Sequence, residues 1–381
     1  MKVAHLTTVD SSLEYLLLPQ LLAVIEGGGE VVGISSPGSS VERLERRGVR
    51  HVALESSTRG FDLWADVRAA FELWQVLRRE RPDVLHTHNP KPGLYGRVLG
   101  RLARVPIVVN TLHGLYATED DRLAKRAVVY GLEAIASRFS DAELVQNPED
   151  VALMRRLHLA PRAHIRLLGN GVDLRRFMSA PASGDRVRIR AELGVRDDTI
   201  LVGAVGRLVA EKGYPELFGA MVRLDERFRL VVVGPEDPAK ADALAPELLD
   251  EARGAGVIFL GERDDVDAIY RAMDVFVLPS HREGFPRAAM EAAASGLPIV
   301  TTDVRGCRQV VDDGVNGMLV PVRDEKALFE AISTFASPER RTAMGAAGAR
   351  IAQERFDEDT CVQIVLDTYR EVAHRKGIEL T

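Results

Sequence analysis

The sequence predicts an α/β fold of two doubly wound, Rossmann-like domains facing each other across a central cleft. Three observations carry that prediction. Short runs of Val, Ile and Leu alternate with longer helical patterns through most of the 381 residues. Near-continuous apolar runs bounded by helices mean parallel strands covered on both faces. There are too many such runs for one open twisted sheet, and the length suits two domains of about 150 residues each.

The elements follow in order. Val3–Thr7 reads as the first strand, followed by a helical run from Ser12 to Glu26 that Gly27-Gly28-Gly29 closes. Val31–Ser35 and His51–Leu54 are the next strands, around a short helix at Ser40–Arg47. A long helix at Leu63–Arg81 ends against Pro82. Val84–His88, Ile107–Thr111 and Ala142–Gln146 are buried strands, separated by helices at Gly93–Ala103 and Arg122–Phe139. The second half repeats the scheme with strands at Ile200–Val205, Leu230–Val233, Val257–Leu260, Val275–Leu278, Ile299–Thr302 and Met318–Val320. The small-residue stretch from Met178 to Gly184 marks the break. The expected domains are therefore 1–177 and 178–365, with a C-terminal helix at 366–381 packing back toward the first. Doubly wound sheets bind ligands beyond the carboxyl ends of their strands, so two facing sheets would hold two substrates in the cleft.

Composition narrows the function. The chain is 46% hydrophobic and 28% charged, which supports a folded core. Its net charge of −6 disfavours a nucleic-acid binder. The charge is uneven: 24 basic and 21 acidic residues up to Arg176, net +3, against 26 and 35 beyond it, net −9. Cys307 and Cys361 form neither a metal spacing nor a disulfide framework, which fits a reducing cytoplasm. The first residues enter a strand directly, so no signal peptide is expected. The most apolar stretch, Tyr15 to Ile25, is too short to span a bilayer.

Familiar cofactor motifs are missing. No Gly-x-Gly-x-x-Gly follows the first strand, and no phosphate loop of the Gly-x-x-x-x-Gly-Lys type occurs. His86-x-His88 offers two ligands on one strand face, weak support for a metal. Asp265-Val266-Asp267 opens a helix, where acids serve as caps and complement the helix dipole. The expectation is no metal and no cofactor.

The chemistry concentrates in His281-Arg282-Glu283-Gly284-Phe285-Pro286-Arg287-Ala288-Ala289-Met290-Glu291, after a strand and at a helix start. Pro286 suits the first helical position, and the free amides behind it favour phosphate. Each carboxylate, Glu283 and Glu291, can accept two hydroxyls of a sugar or ribose. Gly206-Arg207-Leu208-Val209-Ala210-Glu211-Lys212-Gly213 follows the strand Ile200–Val205. Gly206 lets a ligand approach the backbone, while Arg207 and Lys212 bring a fork and a point charge to a diphosphate. His113 ends another strand. Taken singly, each also fits an ordinary solvated loop or a structural histidine.

Together these motifs resemble the retaining glycosyltransferases of family 4, which have the GT-B fold. The resemblance rests on Glu283-x7-Glu291 within Glu-Gly-Phe-Pro, on Gly206-Arg207-Leu208 with Lys212-Gly213, and on supporting pieces in family order. Those pieces are Thr111-Leu112-His113-Gly114, Gly169-Asn170-Gly171-Val172-Asp173 with Phe177, Ala272-Met273-Asp274-Val275 to Ser280, and Gly314-Val315-Asn316-Gly317. The resemblance implies that Arg207 and Lys212 hold the donor diphosphate, Glu283 the donor sugar and Glu291 the ribose. Gly284, Phe285 and Pro286 match the turn whose backbone faces sugar and phosphate, Arg287 at the helix start joins them as a donor-binding candidate through its free amide, and His113 matches a histidine near the donor sugar and acceptor. Many relatives carry Gly-Gly in the first loop where this chain has Asp10, Ser11 and Ser12. Asp10, Ser11, His88 and Lys91 are the acceptor-side candidates. The stretches His86 to Gly93 and Asp303 to Arg308 look like bacterial enzymes of capsule, exopolysaccharide or lipid-linked oligosaccharide synthesis. Those use a UDP-sugar, here a UDP-N-acetylhexosamine among the candidates, and a polyprenyl-diphosphate acceptor.

The implied reaction retains anomeric configuration and needs no metal, since Arg207, Lys212 and the helix amides meet the charge of the leaving phosphate. The alternatives are a GT-B epimerase or phosphorylase, which turns over without a sugar acceptor or with inorganic phosphate, and a silent nucleotide-sugar binding protein. A cytoplasmic location with peripheral contact to the inner membrane surface is expected. Arg78, Arg79 and Arg81, and Arg97, Arg101 and Arg104 at helical spacing, are the basic candidates for that contact.

Overall fold

In a computed structural model of the chain, the residues described are 1–381 except 59, 61–62, 89, 118–120, 162, 179–183, 239, 241 and 381. The expected linker therefore lies largely outside the described residues. The chain divides into two units, Met1–Gly169 with Asp359–Thr381, and Asn170–Glu358. This division comes before the expected 177/178 boundary, because Phe177 is buried in the second unit's core, edge-on to Tyr270 at 5.8 Å. Among the described residues no helix is long and apolar enough to cross a membrane.

The first unit holds seven strands: β1 (Lys2–Val9), β2 (Glu30–Ser36), β3 (Arg50–Ala53), β4 (Val84–His88), β5 (Ile107–Leu112), β6 (Ala142–Val145) and β7 (His164–Leu167). They form one parallel sheet in the order β3-β2-β1-β4-β5-β6-β7. Side chains alternate between its faces. Val3, Val84 and Val109 pack with Leu17, Leu21 and the C-terminal helix Glu358–Lys376. Ala4, Leu85 and Val108 pack with Leu73 and Leu77 of the helix Leu63–Glu80. The C-terminal helix is anchored by buried Val365, Tyr369 and Val372, and by ion pairs Arg166–Glu371 at 3.0 Å and Lys376–Asp141 at 2.8 Å.

The second unit holds six strands: β8 (Ile200–Val205), β9 (Phe228–Val233), β10 (Ile258–Phe259), β11 (Val275–Leu278), β12 (Ile299–Thr302) and β13 (Gly317–Val320). They are parallel, in the order β10-β9-β8-β11-β12-β13. Leu201, Phe276 and Leu278 enter one core, and Val202, Val275 and Val277 the other. Both sheets reverse strand order once: between β1 and β4 in the first unit, and between β8 and β11 in the second. Chain connections leave these points in opposite directions, which opens a crevice beyond the carboxyl ends of the strands.

Candidate active site

Four loops converge at the switch point of the second sheet. Gly206 follows β8, and its carbonyl accepts the Tyr214 hydroxyl at 2.9 Å. A Cβ at Gly234, after β9, would strike the Gly206 carbonyl oxygen. Gly213 has φ +74°, and a Cβ there would strike the Pro279 carbonyl, so only glycine lets this loop lie against the end of β11. Gly306, after β12, likewise presses its backbone on Glu283 and Gly284.

The Lys212 loop and the Glu283 loop are tied by successive contacts. The His281 amide donates to the Glu211 carbonyl at 2.8 Å. His281 Nε2 lies 2.8 Å from Glu216 Oε1, and Arg282 Nε donates to Glu211 at 2.9 Å. Lys212 Nζ donates to Glu283 Oε1 at 2.6 Å, and Ser280 Oγ donates to the same oxygen at 2.7 Å. Arg207 Nη1 donates to Asp237 Oδ2 at 2.9 Å. Both cations are thus held by carboxylates. The Lys212 stem runs beside Gly206, within ordinary contact distance of where a Cβ would stand.

The acidic helix is fixed as firmly. It spans Arg287–Ala294 with Pro286 at its N-cap, one position earlier than expected. The Phe285 ring stands edge-on to Phe356 at 6.0 Å, and its carbonyl accepts from Asn170 Nδ2 at 3.1 Å. Glu291, one turn inside, accepts the Tyr270 hydroxyl at 3.0 Å. Burial raises the Glu291 carboxyl above its ordinary range, against the pull of Arg287 and the Tyr270 hydrogen bond. Arg287 itself faces Glu358 at 3.8 Å. Cys307 beside this loop is inert: burial pushes its thiol up to about 12, with Glu283 adding to the effect.

The first unit carries a histidine chain at its own switch point. His5 on β1 pairs in register with His86 on β4, and His88 shares that face two residues on. His5 Nδ1 lies 3.1 Å from His88 Nε2, and His88 Nδ1 lies 3.3 Å from His113 Nε2. His86 bridges the Tyr369 hydroxyl at 2.6 Å and Thr111 Oγ1 at 2.7 Å. Burial depresses all four rings, His5 to about 3 and His113 to about 4, so the chain is neutral at pH 7. His113 can therefore offer hydrogen bonds but no charge. Donation from Nδ1 of His5 to His88, and of His88 to His113, leaves only a lone pair unmet at buried His5 Nε2. Among the described residues, His5, His86 and His88 are the one group able to hold a metal, with ligand atoms within 4.8 Å. The hydrogen bonds already engage five of their six nitrogens.

Against that geometry the comparisons are specific. Residues 23–171 match the model of the glycosyl transferase 4-like domain, and 199–337 that of glycosyl transferases group 1. The chain is 30% identical over 291 residues to the UDP-Gal:alpha-D-GlcNAc-diphosphoundecaprenol alpha-1,3-galactosyltransferase of Escherichia coli, covering 74% of each. It is 34% identical over 307 residues to the D-inositol 3-phosphate glycosyltransferase of Xylanimonas cellulosilytica, covering 77% of this chain and 73% of that protein. The chain belongs to glycosyltransferase family 4. In fold, the transferase resembles the crystal structure of Anabaena HepE in complex with UDP, at a TM-score of 0.79 and 21% identity, over 97% of this chain and all of that one. Its architecture is GT-B.

The structure sorts the expected residues of the transferase. Gly206, Arg207, Lys212, Glu283, Gly284, Phe285, Pro286, Arg287 and Glu291 all belong to the loops and helix around the second sheet's switch point. The acceptor-side candidates separate. Asp10 is buried and accepts the Ser40 amide at 2.7 Å, closing the Gly38–Ser40 turn. Ser11 lies in the short helix Asp10–Ser12. His88 is fully buried within the histidine chain. Lys91 pairs with Asp66 at 2.5 Å. Arg97, expected on a basic surface stripe, is 1% exposed and held by Glu133 at 2.7 Å and Glu143 at 2.9 Å. Helical spacing placed it on a common face with Arg101 and Arg104, but the helix ends at Leu102, so Arg104 lies beyond it and is exposed, while Arg101 is half-buried on Asp141 at 2.6 Å. Asp265 and Asp267 make no cap, binding Arg263 and Arg176 instead. Sequence reasoning missed Asp237, Tyr270 and Asn170 as holders of Arg207, Glu291 and the Phe285 turn. Only Asn170 carried a signal, lying within a motif of the resemblance.

Proposed function

We propose that this transferase moves a hexosyl or N-acetylhexosaminyl group from a UDP-sugar to a polyprenyl-diphosphate-linked or growing glycan acceptor, with retention of anomeric configuration. The observation that carries the donor half is the Lys212–Glu283 contact at the switch point, beside Arg207 and the N-terminus of the helix Arg287–Ala294. A nucleoside diphosphate satisfies all of these groups at once. Lys212 and Arg207 exchange their carboxylates for phosphate oxygens, and Glu283 is released to accept sugar hydroxyls. Glu291 accepts the ribose hydroxyls. As the bond from the anomeric carbon to the diphosphate breaks, the two cations and the helix amides meet the charge on the leaving oxygen. In this reading no metal or cofactor takes part. Attack from the same face, with the leaving phosphate taking the acceptor proton, preserves configuration. The E. coli relative's name, which specifies a UDP-sugar and a diphosphoundecaprenol acceptor, supports the donor and the lipid-linked acceptor. A lipid-linked acceptor would place the protein at the cytoplasmic face of a membrane.

A second reading has a specific basis. The inositol-phosphate relative is the more identical of the two, so a soluble phosphorylated cyclitol is the competing acceptor. The test is mass spectrometry of products from a panel of nucleotide sugars, offered with either a short polyprenyl-diphosphate glycan or inositol phosphate. A mass gain of one sugar on the lipid acceptor supports the first reading, and on inositol phosphate the second. Intact donors with both acceptors refute transfer to either.

A further inference from the structure

We propose that the outward face of the helix Leu63–Glu80 is a docking surface for an anionic lipid bilayer. This deepens the lipid-linked-acceptor reading and rests on it for purpose, while the surface itself rests on the following observations. Trp64, Val67, Phe71 and Trp74 are 76, 54, 58 and 37% exposed. At 3.6 residues per turn they fall on one side of the helix, and the Phe71 and Trp74 rings stack at 6.1 Å. Trp64 and Trp74 are the protein's only two tryptophans. A soluble surface seldom spends its largest apolar side chains on one contiguous patch without a partner.

Charge identifies the partner. Among the described residues, the other exposed side chains of this helix are Arg68, Gln75, Arg78 and Arg79. Its three acids are turned inward: Asp66 to Lys91, Glu72 to Ser56, and Glu80 to Lys2 and Arg50. An apolar aromatic stripe bordered by arginines, with every acid withdrawn, is the pattern of an interfacial helix on anionic lipid. A second helix shares its apolar, acid-free part. Helix Pro90–Leu102 packs against both Leu63–Glu80 and Leu123–Ala136. The last of these exposes Val128, Leu132 and Ile135, while its one acid, Glu133, is buried on Arg97. The layer thus presents two acid-free apolar arcs. A protein partner of mixed charge would not call for this one-sided sorting.

Because both tryptophans sit on the stripe, intrinsic fluorescence reads the contact directly. The intact chain is mixed with vesicles of phosphatidylcholine alone, or with about 30 mol% phosphatidylglycerol. The expected result is a blue-shifted emission with the anionic vesicles, quenched by bromine on the acyl chains and weakened by salt. Val67→Ser with Phe71→Ser keeps both tryptophans and alters only exposed positions, so the fold is retained. It should weaken binding about tenfold or more. Arg68→Gln and Arg78→Gln should each cost about fivefold on anionic vesicles only. Emission unmoved by anionic vesicles overturns the proposal, as does equal quenching of the serine variant. A concentration-dependent blue shift without vesicles, matched by dimers in sedimentation, also overturns it by assigning the face to a second copy. Turnover of a short water-soluble acceptor is measured in parallel. Turnover without vesicle binding rejects the surface alone, and vesicle binding without turnover rejects the transferase reading alone.

Discussion

Acidification should unfold the first unit through its buried histidines. His5, His86, His88 and His113 are all depressed below the ordinary 6.5 by burial, His5 to about 3 and His113 to about 4. Between those values and 6.5 the unfolded chain holds one more proton per histidine than the folded one. Stability is therefore fully present above 6.5 and is lost as the pH falls toward the folded values. Each histidine contributes a slope of about 1.4 kcal/mol per pH unit. From pH 6.5 to 5 that is about 2 kcal/mol per ring, or about 4 kcal/mol for His5 and His113 together, with His86 and His88 acting in the same direction. A loss of that size is a large part of the stability of a domain. Glu143, raised by burial, opposes the trend by at most one proton. Trp64 and Trp74 both lie in the first unit, so urea unfolding followed by tryptophan fluorescence at pH 7, 6 and 5 reports it alone. The midpoint should fall below pH 6.5, and His5→Gln should reduce the slope by about one proton's worth, about 1.4 kcal/mol per pH unit. An unchanged midpoint between pH 7 and 5 would refute the neutral, buried chain.

Further outcomes follow from the same physics. Arg97→Met leaves Glu133 and Glu143 buried without their cation and should cost about 3–5 kcal/mol in the same urea assay, most of it regained on adding Glu133→Gln and Glu143→Gln. Glu291→Gln should weaken UDP binding about tenfold by calorimetry. In the unaltered protein, UDP affinity should fall as the pH drops through a value above 4.5, because the raised carboxyl must be ionised to accept both ribose hydroxyls. That acid limb should be absent in the Gln variant.

Both sheets were legible because their strands are unbroken apolar runs, and Val84–His88, Ile200–Val205, Val275–Leu278 and Ile299–Thr302 match to the residue. Strand β7 was not: His164 and Arg166 alternate with Ile165 and Leu167 on a half-exposed edge, and so hide the pattern. In the site, charge and glycine spacing pointed to Arg207, Lys212 and Glu283. Asp237, the partner of Arg207, and Tyr270, the partner of Glu291, lie on separate loops and helices that only strand order brings near. The histidine chain needed the same knowledge, since β1 and β4 become neighbours only through the reversal of order. The charge split persists but shrinks once residues are assigned to units: 25 basic and 24 acidic in the first, net +1, against 25 and 32 in the second, net −7. One of the first unit's arginines, Arg97, is spent in its core.

The central claim is that sugar transfer runs through Lys212 and Glu283 at the second unit's switch point. The most direct measurement is the initial rate of sugar addition to the accepted acceptor, by mass spectrometry, for the unaltered protein, Lys212→Met and Glu283→Gln. The loss of one preorganised charge in a desolvated site predicts rates about 100-fold lower or less in each variant, with unfolding midpoints retained. Rates equal to the unaltered protein's in either variant would contradict the account.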